Sequence, residues 1–267
     1  MDQQTLIGRI AAALEPDQRI RGLFLAGSFG RGTADVFSDV DLLAVVPEDQ
    51  HEAVAADWRA TLEAIAPIVY FNRLPWALVL NAITDGWLRC DLDIAAPGKL
   101  AGRTQDRLRP LIDRDGILAA LPASLPHRGI DPGSVQATTL EFIRVLGLLP
   151  VVLGRHEVEL MAAGGAGFLR RFLTDLLVLE MNLPDAGGNL HLSRVLDAER
   201  LALLAAIPLP QFGIDPAVAT NLALARAFMP RAKALYAQLG IAWPLAFETA
   251  TRRAIDRALP PPHRADW

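Results

Sequence analysis

Apolar spacing changes character once along the chain. Up to about residue 122, short apolar runs alternate with amphipathic stretches; after about residue 133, apolar residues recur at intervals of three and four to the end. The first texture predicts mixed strands and helices, the second a helical array. Leu6, Ile10, Ala13 and Leu14 fit one face of a helix over 3–14, ended by Glu15-Pro16-Asp17. Ile20 to Ala26 reads as a strand, and a second apolar run continues to Val46 and stops at Pro47. A helix follows from about Glu52 to Ile65, burying Trp58 and Leu62, and then strands at Ile68 to Phe71 and Trp76 to Ile83. Thr84-Asp85-Gly86 has hairpin-turn composition, Trp87 to Ala95 pairs back, and Leu111 to Gly116 reads as an edge strand ending in a turn.

Leu125 to Gly133 lacks periodicity and reads as a linker. Helices are expected near 134–149, 155–163, 166–181, 198–206, 216–238 and 244–258. Asp215-Pro216 suggests a capped start, Pro230 a kink and Gly240 a stop, and Pro260-Pro261-Pro262 ends helical structure. The expected fold class is therefore an α/β (α+β) domain with a small mixed sheet at 1–128, then an all-α helical domain at 129–267. A ligand is expected in the cleft between them.

Composition narrows the classes. The chain has 267 residues, 52% hydrophobic, with a net charge of −4. No apolar run reaches about 18 residues, so no membrane span is expected. The start, Met1-Asp2-Gln3-Gln4, does not resemble a secretory leader, and a single cysteine, Cys90, excludes an internal disulfide framework. Both point to the cytoplasm. Mild acidity argues against a broad nucleic-acid surface and suits a neutral or cationic small substrate.

The candidate chemistry sits in Leu23 to Val46, LFLAGSFGRGTADVFSDVDLLAVV: strand, small-residue turn at Gly27-Ser28, short helix, then a strand with Asp39 and Asp41. Residues i and i+2 of a strand share a face about 7 Å apart, which leaves Val40 and Leu42 for the core. Two carboxylates so placed repel by roughly 2–3 kcal/mol at an effective dielectric near 20, a cost that a cation reverses. The pair reads as a magnesium site and the turn as a phosphate cradle. Asp-x-Asp alone is a weak signal, since about 1.5 such pairs are expected by chance. Asp91/Asp93 and Asp113/Asp115 also occur, the last before Gly116 as a solvated turn.

Gly27-Ser28, Arg31-Gly32 and Asp39-Val40-Asp41-Leu42 together resemble the signature of the DNA polymerase β-like nucleotidyltransferase superfamily. Within it, the chain resembles the bacterial antibiotic nucleotidyltransferases of the lincosamide and aminoglycoside adenylyltransferase types. That resemblance implies a third carboxylate on a neighbouring strand. Asp91 fits its apolar-acid-apolar pattern, with Asp93 shaping the substrate side or ending the strand. Asp39, Asp41 and Asp91 would then be the catalytic and metal-binding acids, and Asp91 either a metal ligand or the general base. Gly27, Ser28 and Arg31 would meet the triphosphate, Gly30 and Gly32 giving backbone freedom. The implied activity is Mg2+-dependent transfer of a nucleoside monophosphate, AMP from ATP, to a hydroxyl of a small antibiotic, an inactivation that would confer resistance. A homodimer is also implied.

Elsewhere, Glu141 is expected to pair with Arg144 across one helical turn, and Glu180 is a second pocket candidate. His191 and Arg194, after Gly187-Gly188-Asn189, are candidates for phosphate or substrate contact. Cys90, opposite Asp91 on its strand, is expected in the core, with Trp58, Trp76 and Trp87 as core or sheet cover. Gly164-Gly165-Ala166-Gly167 lacks a preceding strand and a following Lys-Ser/Thr, so it reads as a helix break rather than a phosphate loop. Two rival readings are a nucleotidyltransferase acting on protein or tRNA, of toxin–antitoxin type, and a nucleotide-binding module without catalysis. The first should show an open or basic acceptor surface; the second has no need of three clustered acids.

Overall fold

The computed structural model describes residues 1–267 except Trp76, 184–190 and 260–262; the side chains of 161–163 are also not described. The expectations for Trp76, Gly187-Gly188-Asn189 and the Pro260–Pro262 tail lie outside the described residues. The chain forms two compact units, Met1–Leu125 and Pro126–Trp267.

The first unit is α/β. Helix α1 (Gln3–Leu14) starts where the Asp2 carboxylate accepts from the Thr5 amide at 2.8 Å, and it buries Leu6, Ile7, Ile10 and Leu14. Strand β1 (Gly22–Leu25) is buried throughout, as expected for a strand covered on both faces. A five-residue helix, α2 (Gly27–Arg31), leads towards β2 (Val40–Val45). Helix α3 (His51–Glu63) precedes β3 (Ile68–Arg73), β4 (Val79–Thr84) and β5 (Arg89–Ala95), followed by β6 (Arg109–Asp113) and the short α4 (Ile117–Ala120). The six strands form one mixed sheet in the order β3-β4-β5-β2-β1-β6, in which β2 and β5 run parallel and the other neighbours antiparallel.

The two faces of this sheet differ. One carries Val40, Leu42, Ala44, Cys90, Leu92 and Ile94, which pack with α1 and α3 residues in the larger core cluster. Along β5 every second residue belongs to that core, so Arg89, Asp91 and Asp93 turn to the other face. There the apolar cover is a smaller cluster including Phe24, Leu43, Leu108 and Ile117. A strand that alternates this strictly delivers its acids to one side without breaking the core. Trp58 is 1% exposed, as expected for core, whereas Trp87 is 73% exposed and holds a left-handed turn conformation (φ 62°). Trp87 is therefore a hairpin-turn residue and not sheet cover.

The second unit is all-α: α5 (Pro132–Leu146), α6 (Leu149–Gly154), a π-helical turn at Leu160–Gly165, α7 (Ala166–Met181), α8 (Leu192–Val195), α9 (Ala198–Ala206), α10 (Ile214–Leu239) and α11 (Leu245–Ala258). Its core includes Phe142 of α5 stacked on Phe228 of α10, ring centroids 3.7 Å apart. Pro132–Gly154 is long and apolar enough to cross a membrane by length and composition. Phe142, Ile143 and Leu146 nevertheless bury one of its faces in the helical core, and Glu141 pairs with Arg144 on it.

Two local expectations change here. The glycine-rich 164–167 segment is not a helix break, because the π turn runs directly into α7. The capping residue of α10 is Gly213 (φ 133°), and Asp215 lies in the first turn, 3.4 Å from His263. Helix α10 runs unbroken through Pro230, where one missing amide is set against the buried neighbours Phe228, Met229 and Ala232.

Candidate active site

Asp41 projects from β2, and Asp39 lies one residue ahead of that strand. Asp91 stands directly beside Asp41, because β2 and β5 pair in parallel with Asp41 opposite Asp91. One carboxylate oxygen from each of Asp39, Asp41 and Asp91 falls within 4.8 Å of the others. The sheet order achieves this by placing β5 next to β2 although β3 and β4 intervene in sequence.

Burial, followed by the charges of Asp39 and Asp91, raises the Asp41 pKa to about 6; Arg31 and Arg89 oppose the shift. Asp91 is also raised, first by burial and then by Asp39, against a hydrogen bond from Asn81. Three partly buried carboxylates that disfavour each other's charge, with hard oxygen donors converging, fit a divalent cation of the magnesium type. The Ser28 hydroxyl supports the same reading from the other side: it is buried and its oxygen has no hydrogen-bond partner among the described residues.

Gly27 is sterically tied to the acids. It adopts φ +53°, and a Cβ there would lie 1.7 Å from Asp41 Oδ2. The small-residue turn is thus shaped by the carboxylate beside it. Gly32 caps α2 in the left-handed conformation (φ 71°). The glycine at 30 serves packing more than freedom, since a Cβ there would meet the Arg107 carbonyl oxygen at 2.2 Å. Arg31 is exposed in the last turn of α2, close enough for its charge to favour ionised Asp41.

Three contributors have no clear signature in the sequence pattern. Arg89 reaches Asp39 at 3.4 Å and also donates to the Phe37 carbonyl at 3.3 Å. Its position two residues before Asp91 on an alternating strand is the one signal that could have found it. Asn81 faces Asp91 through the β4–β5 register, which no local pattern encodes. Arg103 forms an ion pair with Asp93, so that acid shares the sheet face but is engaged outside the cluster. Cys90 is buried on the opposite face, and burial pushes its thiol pKa far up, an inert core position.

Glu141 and Glu180 have structural partners. Arg144 forks onto Glu141 at 2.8–3.0 Å, the expected ion pair. Glu180 is held by Arg200 at 2.9 Å and Arg231 at 2.8 Å. His191 precedes α8 and Arg194 lies within it, in the helical unit. Asp113 and Asp115 are more than a solvated turn. Asp113 accepts from the amides of Ile117 and Leu118, at 2.7 and 3.1 Å, and Asp115 pairs with Arg21. Asparagine can cap nearly as well as aspartate, so Asp113→Asn should cost under about 1 kcal/mol of stability and leave turnover unchanged. A denaturant titration and an activity assay on that variant check both expectations.

Comparison with known proteins bears on this geometry. Residues 7–88 match the family model described as a nucleotidyltransferase domain. The matched stretch contains Gly27, Asp39 and Asp41 and stops three residues short of Asp91, whose membership of the cluster is seen from the structure. No curated protein matches the chain. Among solved structures, it is similar to an aminoglycoside 6-adenyltransferase from Bacillus subtilis, at 14% identity and a TM-score of 0.41, covering 94% of this chain and 95% of that one. A CCA-adding enzyme in complex with CTP is similar at 15% identity and a TM-score of 0.35, covering 78% of this chain and 52% of that one. A nucleotidyltransferase-like protein from Exiguobacterium sibiricum 255-15 is similar at 13% identity and a TM-score of 0.31, over 95% and 78%. All three are too distant to carry a substrate to this chain. The first unit therefore carries a nucleotidyltransferase domain, matched over residues 7–88.

Proposed function

We propose that the protein transfers a nucleoside monophosphate, AMP from ATP, to a hydroxyl of a small molecule, with magnesium as the metal. The observation that carries this reading is the convergence of Asp39, Asp41 and Asp91 oxygens within 4.8 Å beside the Gly27-Ser28 turn. Asp39, Asp41 and Asp91 would hold the cation, which when bound neutralises charge on the phosphates and on the departing pyrophosphate. Gly27 keeps the carboxylate of Asp41 close to the turn, and the unpartnered Ser28 hydroxyl is available to a phosphate oxygen. Arg31 adds positive charge on the same side.

In the transfer, the acceptor oxygen forms a bond to the α-phosphorus, the bond from that phosphorus to the pyrophosphate oxygen breaks, and pyrophosphate departs. The hydroxyl proton passes to a carboxylate or to solvent. Asp91, whose pKa burial has raised, is the better proton acceptor of its type and also completes the donor set. Magnesium titration of Asp91→Asn separates the two roles: loss of a ligand weakens the dependence on magnesium, whereas loss of a general base lowers turnover even at saturating magnesium. The acceptor class we favour is an antibiotic of the lincosamide or aminoglycoside type, the cytoplasm is the proposed compartment, and a homodimer the proposed assembly.

The test is pyrophosphate release with ATP or GTP, magnesium and a panel of lincosamides and aminoglycosides. Acceptor-dependent release that vanishes in Asp39→Asn is the expected result. Full turnover in that variant would remove Asp39 from the mechanism. Nucleotide binding without release across the panel would favour a binding module, and labelled nucleotide appearing on protein or tRNA would favour the macromolecular rival.

A further inference from the structure

The helical unit contains a cavity of about 330 Å³ that the nucleotidyl site does not use, walled by α5, α6, the π turn and α7, with Asn221 of α10 also in its lining. Its walls are aliphatic and aromatic, among them Val145, Leu149, Val152 and Phe172. Its polar lining is of two kinds. The Asn221 amide is 3% exposed and its nitrogen donates to the Ala217 carbonyl at 2.8 Å, while the Glu141–Arg144 ion pair is about half exposed and so marks the solvent side, the mouth. Around that mouth the chain leaves Leu148, Leu160 and Phe168 45%, 56% and 58% exposed, an apolar concentration that water does not reward. The π turn contributes Leu160, Gly164 and Gly165 to the wall, and such turns widen a helix locally.

We propose that this cavity binds a small uncharged amphiphile, with an apolar ring or chain inside and a hydrogen-bonding end at the Glu141–Arg144 mouth. The volume is at the lower end of small-molecule sites, and apolar walls with few placed polar groups are their usual chemistry. Charge argues for the uncharged end: Glu141 and Arg144 neutralise each other, so the lining offers no surplus carboxylate to a polycation and no surplus cation to a phosphate. A hydrogen-bonding group can address either partner without breaking the pair. The inference stands apart from the nucleotidyl reading, because it needs neither metal nor nucleotide.

The test uses N-phenyl-1-naphthylamine, an uncharged fluorophore with one N–H donor, titrated into the full chain without nucleotide or magnesium. A saturable rise in emission at one dye per chain is expected. Gly164 lines the cavity and a Cβ there meets nothing within 4 Å, so Gly164→Trp can place a ring in the cavity. That variant should keep the wild-type circular dichroism and weaken dye binding at least about tenfold, through loss of the buried apolar area. Should it fail to fold, Phe168→Glu, at an exposed rim position, should weaken binding similarly. No saturable binding, or wild-type affinity in a folded variant, would overturn the proposal. So would sedimentation showing that chains self-associate through this face and that association excludes the dye, which would make a second copy its occupant.

Discussion

Asp41→Asn should make the metal-free protein more stable at pH 8 and at the same time remove its nucleotidyl transfer. The Asp41 pKa is raised from 3.8 to about 6, by burial first and then by Asp39 and Asp91. An acid whose folded pKa exceeds its unfolded one binds more protons in the native state between those values. Its contribution therefore opposes folding increasingly as pH climbs from about 4 to about 6, and stays constant above. The shift corresponds to at most about 3 kcal/mol, reduced by solvent screening because the group is only partly buried. Asparagine keeps the shape and removes the charge. In EDTA, the variant should gain stability over the wild type at pH 8 and lose that advantage near pH 4, read from urea unfolding at both values. Magnesium should reverse the order, since a ligand held by the native state stabilises only the chain that binds it. Turnover should fall at least about a hundredfold, given that lost charge stabilisation amounts to several kcal/mol. A variant less stable than wild type in EDTA at pH 8 would show that Asp41 serves the fold and not a cation.

That opposition between stability and charge explains which parts of the site are legible in the sequence. Asp39 and Asp41 stand in an apolar setting near a small-residue turn, and acids in such a setting are costly without a partner. The strict alternation of β5 assigns Asp91 and Asp93 to one face and Cys90 to the other by residue pattern alone. Register is not legible. The parallel pairing that sets Asp41 beside Asp91, and the antiparallel one that brings Asn81 to Asp91, are long-range choices that no local pattern encodes. Arg103 could not be matched to Asp93 for the same reason, because the ion pair closes a loop after the strand has ended. In the helical unit, periodicity locates α7, α9 and α11 closely, since each presents a regular apolar stripe. It misses the π turn, where apolar spacing continues but the hydrogen-bond step changes. It also misses Glu248, 4% exposed and held by Lys233, Arg252 and the indole N–H of Trp243, because two of those partners come from a preceding helix and loop.

Gly27→Ala should disable the site through Asp41 while leaving the sheet folded. Two costs arise together. Alanine at φ +53° carries left-handed strain of about 1 kcal/mol, modest and local. The greater cost is steric: the new methyl carbon would sit 1.7 Å from Asp41 Oδ2 and 2.6 Å from Asp41 Cγ, so the carboxylate must rotate away or the turn must move. Either response separates Asp41 from Asp39 and Asp91, whose oxygens now lie within 4.8 Å. Magnesium-dependent stabilisation and pyrophosphate release should both drop, by at least about tenfold for a displaced ligand group. A double-mutant cycle isolates the cause. In an Asp41→Ala background the carboxylate is gone and the closest remaining contact is with the Cβ of residue 41 at 3.0 Å, a tight contact relieved by a shift of a few tenths of an ångström, so Gly27→Ala should cost its backbone strain and that small adjustment. In the wild-type background the same change should cost clearly more, and the difference is the coupling between turn and acid. Equal costs in both backgrounds would mean that Gly27 is present for its backbone conformation alone.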